Sequence, residues 1–275
     1  MPAPRWSGFW KKKAISESVD STLAAWAASD ALSDADFLDT ARFRKDIAQG
    51  WRFQSNIPQG YGLGSSGALC AGAYARYGAH DTDDLALLKA RLSRMEAWFH
   101  GASSGIDPLT SLLDRPVLTE DGACKVLEAS AISAASFQIG LYDTGMERTT
   151  GPLVAWFKAR MAEKGNFYEA FMQTHLPDLR RLAAAWLRQD AAAIWDALRA
   201  VSVWQYTYMK PMIPPEFQAA WLASLSDEDL IIKLCGAGGG GFMLCFAKNE
   251  TNISSKLPHA PIFHPLDHPN HFEEV

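Results

Sequence analysis

The stretch Ile57–Cys70, IPQGYGLGSSGALC, constrains the chain more than any other part of it. A short strand, Arg52–Ser55, runs into a turn in which Gly60, Gly62 and Gly64 alternate, and a helix of small residues follows from Ser65 to about Tyr77. Glycine lets a ligand approach the backbone closely. Ser65 is the expected N-cap, leaving free N–H groups at the positive end of a helix dipole, an arrangement that suits phosphate. A lone Gly-x-Gly would favour the alternative, a tight strand-to-helix turn with no ligand. Three alternating glycines, two serines and a small-residue helix together favour the anion site. The stretch is not a Walker A loop, because no Lys occurs between Lys45 and Lys89. Its glycine spacing also differs from a dinucleotide-binding fingerprint.

Two further stretches carry chemistry. Leu85, Leu88, Leu92, Met95 and Phe99 recur at helical spacing, with Thr82 or Asp83 as the expected cap and Gly101 at the end. Glu96 and His100 share a face near the end of this helix, and Asp107 follows a glycine-punctuated turn. Singly each has a structural alternative: Glu96 a surface residue, His100 a cation at a helix end, Asp107 the start of a turn before Pro108. Together they read as a magnesium carboxylate, a substrate contact and a base. The second stretch is Leu230–Phe246, where β-prone runs flank Gly236–Gly241. It is either a flexible hairpin or a loop whose N–H groups approach phosphate or substrate.

The remainder is structural in character. Residues 1–50 suggest helices over Asp20–Ala28 and Asp34–Ala48, capped by Ser18 and Ser33. Ser136–Tyr142 reads as a strand. Residues 152–225 are mostly helical, over Leu153–Ala162, Asn166–Leu176, Asp178–Leu187 and Ala191–Met209, with Pro177 separating the middle two and Pro211–Pro215 a further break. Trp186, Trp195 and Trp204 are expected in the core, with Met209 and Met212 needing no ligand. The tail residues His259, His264, His268 and His271 could bind metal, but prolines and irregular spacing favour a surface tail. A net charge of −5 gives no basic field for nucleic acid or an anionic membrane, and no apolar run is long enough to span a bilayer. Cys70, Cys124, Cys235 and Cys245 form no C-x-x-C pair, which suits a reducing cytoplasm.

The run Pro58-x-Gly60-x-Gly62-Leu63-Gly64-Ser65-Ser66 resembles the second motif of the GHMP kinases, with Tyr61 and Gly67 as departures. The block Glu96-x-x-x-His100-Gly101-x-x-Ser104-Gly105-Ile106-Asp107 resembles the mevalonate kinases within that family, with Glu96 eleven residues before Asp107. Arg148-Thr149-Thr150 also resembles them. Lys233-x-Cys235 followed by Gly236–Gly241 resembles the third motif, with Cys235 where Thr or Ser is common. The resemblance implies ATP binding by Pro58, Gly60, Gly62, Leu63, Gly64, Ser65 and Ser66, and Mg2+ binding by Ser66 and Glu96. It implies Asp107 as the catalytic group, and substrate contacts from His100, Ser104, Arg148, Thr150, Gly236, Ala237, Gly238 and Gly239.

The implied fold is α+β and two-lobed, with an ATP-binding lobe over residues 1–145 and a ferredoxin-like α/β sandwich lobe over 146–275, the active site lying in the cleft between them. Nothing in residues 1–57 matches the family's first motif, a Gly-Glu-His-like sequence with an accompanying Lys, so an incomplete first lobe is expected. The implied activity is ATP-dependent phosphorylation of a small alcohol, with the primary hydroxyl of mevalonate as the first expectation. The alternatives are another small alcohol such as a sugar, or an inactive kinase-like protein that binds nucleotide. A homodimer is compatible with this reading.

Overall fold

The structure is a computed structural model that describes residues 8–12, 21–128, 137–146, 150–248, 253–257 and 262–263. The chain divides into two compact units. One is made by described residues of Trp6–Pro58 and Gly64–Ala129, the other by those of Gln59–Leu63 and Ser130–Val275.

In the first unit, β1 (Gly8–Lys12) pairs antiparallel with β2 (Trp51–Ser55). Between them lie α1 (Ser21–Ala28), the short α2 (Asp30–Ser33) and α3 (Thr40–Ala48). The helix expected from Asp34 starts later because Asp39, not Ser33, caps it: Arg42 N–H donates to Asp39 Oδ1 at 2.9 Å. Ser18 lies outside the described residues. Next come α4 (Ser65–Tyr77), α5 (Leu85–His100) and α6 (Ile106–Leu113). The cap of α5 is Asp84, whose Oδ1 accepts from Ala86 N–H at 2.8 Å and Leu87 N–H at 3.3 Å. Thr82 instead accepts the N–H of Asp84. Trp26, Phe43, Tyr74, Tyr77, Leu92, Met95 and Leu109 form the core of this unit. Trp26 has a partner for its polar atom, donating from Nε1 to Met95 O at 3.2 Å.

Like β1 and α2, helix α6 and the hairpin that follows it lie outside the sequence expectation. Helix α6 begins one residue before Asp107 and holds Pro108 in its first turn, where a missing N–H costs nothing. Strands β3 (Val117–Glu120) and β4 (Ala123–Val126) form a hairpin around Asp121-Gly122, both at positive φ, as a two-residue type I′ connection requires.

The second unit contains β5 (Phe137–Asp143), β6 (Leu230–Leu234), β7 (Phe242–Lys248) and β8 (Ile262–Phe263) in the order β6-β7-β5-β8, with antiparallel neighbours. Helices α7 (Thr150–Ala162) to α11 (Pro215–Leu225) separate β5 from β6, and α12 (Ile253–Lys256) separates β7 from β8. This is a β-α-β-β-α-β succession with its first and third strands central, the ferredoxin-like arrangement. The expected break at Pro177 is absent. Instead α8 (Asn166–Ala170) passes through a π-helical turn, Phe171–His175, into α9 (Leu176–Leu187). Pro177 cannot bond to the carbonyl four residues back, and the wider turn just before it accommodates that loss within a continuing helix.

Helix α10 (Ala191–Tyr208) lies along the outer edge of β6 and bonds to its backbone. Ser202 Oγ donates to Ile232 O at 2.6 Å and accepts from Trp221 Nε1 at 3.1 Å, while Leu234 N–H donates to Gln205 Oε1 at 3.0 Å. Trp204, Met209 and Met212 are in the core, as their apolar setting suggested, whereas Trp186 and Trp195 are half-buried. Among the described residues, no helix is long and apolar enough to cross a membrane.

Candidate active site

The site residues of the first unit are set by three short elements: the start of α4, the end of α5 and the start of α6. The cap of α4 is Gly64 rather than Ser65, and its φ of 67° leaves Ser65 as the first helical residue. Replacing a serine cap by an αL glycine leaves no side chain over the first turn of α4, so the N-terminal amides are not covered by their own cap. Ser66, one residue further on, lies across from the end of α5. Its Oγ donates to Glu96 Oε1 at 2.9 Å and sits 3.0 Å from His100 Nε2. A hydroxyl has one proton, and here it is directed to the carboxylate, so Nε2 of His100 is the donor in the second bond.

Glu96 is 6% exposed, an uncommon degree of burial for a carboxylate. Among the described residues, no Lys or Arg forms an ion pair with it. Its charge is nonetheless felt locally: burial foremost, then Glu96, pushes the buried Cys70 thiol up. Both oxygens of this buried carboxylate accept hydroxyl hydrogen bonds, from Ser66 and Ser103, and such oxygen groups are chemically suited to a hard cation.

The donor chemistry fits magnesium. Ser66 and Glu96 supply hard oxygen atoms, and their 2.9 Å separation matches neighbouring ligands of an octahedral ion, which lie about 3 Å apart for bonds near 2.1 Å. Among the described residues there is no cluster of three or more His, Cys, Asp or Glu side chains suited to a metal.

Asp107 is exposed and packs against the start of α4. A Cβ placed on Gly64 would lie 3.4 Å from Asp107 Cβ and 3.5 Å from its Oδ2. A Cβ on Gly67 would lie 2.9 Å from both Asp107 Cβ and Pro108 N. Glycine at position 67 therefore lets α6 approach α4 closely enough to bring the Asp107 carboxylate to the positive end of α4.

His100 and Ser104 are both exposed. Ser104 accepts a long 3.4 Å bond from Ile106 N–H, whereas its neighbour Ser103 donates to Glu96 Oε2 at 2.5 Å. The sequence points to Ser104, whereas the serine bonded to Glu96 is its neighbour Ser103, signalled only by the adjacent pair of serines.

In the second unit, Gly60 and Gly62 have positive φ, and Tyr61 between them bonds to the glycine hairpin. Phe242 N–H donates to Tyr61 O at 3.1 Å, and a Cβ on Gly241 would lie 2.4 Å from that oxygen. Cys235 Sγ lies 3.7 Å from Gly62 O as its donor. Pro58 and Leu63 are half-buried. In the hairpin, Gly236 is exposed, Ala237 and Gly239 are half-buried and Gly238 is buried. Gly239 N–H donates to Met212 O at 2.6 Å and Gly241 N–H to Met146 O at 2.7 Å. Those two amides tie the loop to Met212 and Met146, so both are already engaged within the protein. Burial lowers the pKa of Lys233, whose Nζ donates to Leu234 O at 2.8 Å. Arg148 and the four tail histidines lie outside the described residues, and Thr150 starts α7 with its side chain outside them.

Residues 24–115 match the family described as GHMP kinases N terminal domain. Among curated proteins, no sequence matches the chain. Several solved structures resemble it, two of them as follows. A Streptococcus pneumoniae phosphomevalonate kinase, in complex with phosphomevalonate and AMPPNP, aligns with a TM-score of 0.59 at 14% identity, covering 88% of this chain and 82% of that one. The Lin0012 protein from Listeria innocua aligns with a TM-score of 0.59 at 16% identity, covering 87% of this chain and 74% of that one. The chain therefore has a GHMP kinase-like α+β fold, and its residues 24–115 match that family's N-terminal domain.

Proposed function

We propose that the chain is an ATP-dependent kinase that phosphorylates the hydroxyl of a small alcohol, with mevalonate as its substrate. One observation carries the reading: the start of α4 meets an exposed carboxylate, Asp107, on one side and the Ser66–Glu96 pair on the other. A phosphoryl donor, its cation and an acceptor hydroxyl need three such functions in one place.

In this reading the backbone from Gly60 to Ser66, with Pro58 and Leu63 alongside, holds the nucleotide phosphates. Ser66 and Glu96 hold Mg2+, which offsets phosphate charge when bound. Asp107 accepts the proton of the acceptor hydroxyl or keeps that oxygen in line with the γ-phosphate. His100, Ser104, Arg148, Thr150 and the hairpin residues Gly236, Ala237, Gly238 and Gly239 contact the substrate. A cytoplasmic location goes with this role, and the four cysteines are all free thiols.

A second reading takes phosphomevalonate as the acceptor, the ligand named for the S. pneumoniae structure. A phosphate acceptor is already ionised and needs no base, so the carboxylate at Asp107 favours the alcohol. Phosphorus NMR after incubation with ATP, Mg2+ and each acceptor separates the two. A new phosphomonoester from mevalonate supports the first reading, and a diphosphate from phosphomevalonate the second. Turnover only with a panel sugar would redirect the substrate class. Nucleotide binding with no acceptor-dependent ADP release would overturn the kinase assignment. Light scattering on the same preparation decides between monomer and homodimer.

A further inference from the structure

We propose that Ser103 is a positioning residue for Glu96, holding its carboxylate so that the other oxygen stays beside Ser66. The proposal rests on the assignment of Ser66 and Glu96 as metal ligands.

The hydroxyl and the carbonyl of Ser103 are both engaged. Its Oγ donates to Glu96 Oε2 at 2.5 Å and accepts from Gly105 N–H at 2.9 Å. Its carbonyl accepts from Ser93 Oγ at 2.8 Å. Ser93 and Glu96 lie one turn apart on α5, so two neighbouring side chains of one helix grip a single loop residue. The accepting bond from Gly105 fixes the lone pairs of the hydroxyl and turns its proton toward Glu96.

The carboxylate is thereby held at both ends: Oε2 by Ser103 and Oε1 by Ser66. The two bonds are not equivalent. The Ser66 hydroxyl is itself an expected metal ligand, and its bond to Oε1 would give way were both oxygens to hold the ion. The Ser103 bond has no such competitor and persists, fixing the rotation of the carboxylate about its last side-chain bond. Without it, a carboxylate on a flexible stem would have to be ordered by the ion itself, which weakens binding. Groups of this kind around a ligand typically change metal affinity by about 10–100-fold. Ser104 offers nothing comparable, since its hydroxyl only receives the long bond from Ile106.

The test measures Mn2+ binding by electron paramagnetic resonance in the presence of AMPPNP, in the full-length protein. Metal-free AMPPNP affinity and the melting temperature are measured alongside. Ser103→Ala should weaken Mn2+ binding by at least about tenfold, with metal-free nucleotide affinity unchanged. Ser103→Thr, which keeps the hydroxyl, should bind Mn2+ within about threefold of the parent. Should Ser103→Ala fail to fold, the near-isosteric Ser103→Cys takes its place, with a weaker donor and the same direction of loss. Parental Mn2+ affinity in a folded Ala or Cys variant would overturn the proposal, as would an equal loss in the Thr variant. Glu96→Gln separates the two levels of the argument. If it loses Mn2+ while Ser103→Ala does not, only the role of Ser103 fails. If Glu96→Gln binds like the parent, the metal assignment fails and the proposal falls with it.

Discussion

His175 gives the fold a measurable sensitivity to acid. It closes the π-helical turn, is 4% exposed, and stacks on Trp204 with ring centroids 4.0 Å apart. Among the described residues its Nδ1 has no hydrogen-bond partner. Burial, and then the nearby Lys233, pulls its pKa down to about 4 from an ordinary 6.5. The unfolded chain therefore binds a proton at pH values where the folded one does not. The resulting stability is fully present above about pH 6.5 and is lost as pH falls from there toward 4. With those two values the loss is about 2 kcal/mol at pH 5 and about 3 kcal/mol at pH 4. His175→Phe keeps a ring against Trp204 and removes the titration. Urea unfolding of both proteins from pH 7.5 to 4.5, followed by circular dichroism, isolates this one group, because the carboxylates titrate alike in each. The variant should gain on the parent by about 2 kcal/mol between pH 7.5 and 5. Stability curves that stay parallel over that range would refute the reasoning, and so would an imidazole proton resonance titrating near pH 6.5 in the folded parent.

Three further outcomes are expected. Asp107→Asn should lower kcat by about 10²–10⁴ while leaving ATP affinity nearly intact, measured by a coupled ADP assay and calorimetry; near-parental kcat in a folded variant would remove Asp107 from the chemistry. Glu96→Gln should raise the Mg2+ concentration needed for half-maximal turnover by about tenfold or more, and an unaltered magnesium dependence would return Glu96 to a structural role. Gly67→Ala places a carbon 2.9 Å from Asp107 Cβ and Pro108 N, so α6 must shift; its overpacking cost of about 1–3 kcal/mol exceeds the roughly 1 kcal/mol gained in helix propensity. A lower melting temperature together with reduced kcat is expected there, and a raised melting temperature with parental kcat would show that the two helices are not in firm contact.

The parts of this fold legible in the sequence were those set by local pattern. Helix α4 matched its expected bounds because a run rich in small residues lies between a glycine turn and Gly78. Strands β6 and β7 were plain from β-prone runs on either side of the hairpin. Helix α6 was hidden by Asp107-Pro108, which reads equally well as a turn and as a first helical turn. Pro177 was misleading for the opposite reason, since nothing local announces that a π turn precedes it. At the site, residue types pointed to Ser66, Glu96 and Asp107, but the bond between Ser66 and Glu96 joins positions thirty residues apart and depends on how α4 and α5 pack. The distinction between Ser103 and Ser104 was not available from sequence, because the direction of a loop side chain is fixed by its backbone path.

The bonds that α10 makes to β6 bear on how this protein behaves in concentrated solution. An outermost strand usually offers its peptide groups to whatever strand arrives next, and chains polymerise through such edges. Here the carbonyl of Ile232 and the amide of Leu234 are already occupied by Ser202 and Gln205 of the same molecule. A second chain could add itself to that edge only by first displacing a helix whose Trp204 and Val201 are built into the interior. Protection of this edge thus comes from Ser202 and Gln205 of the helix, with Lys233 of the strand itself taking the Leu234 carbonyl, and it will be as durable as the packing of that single helix.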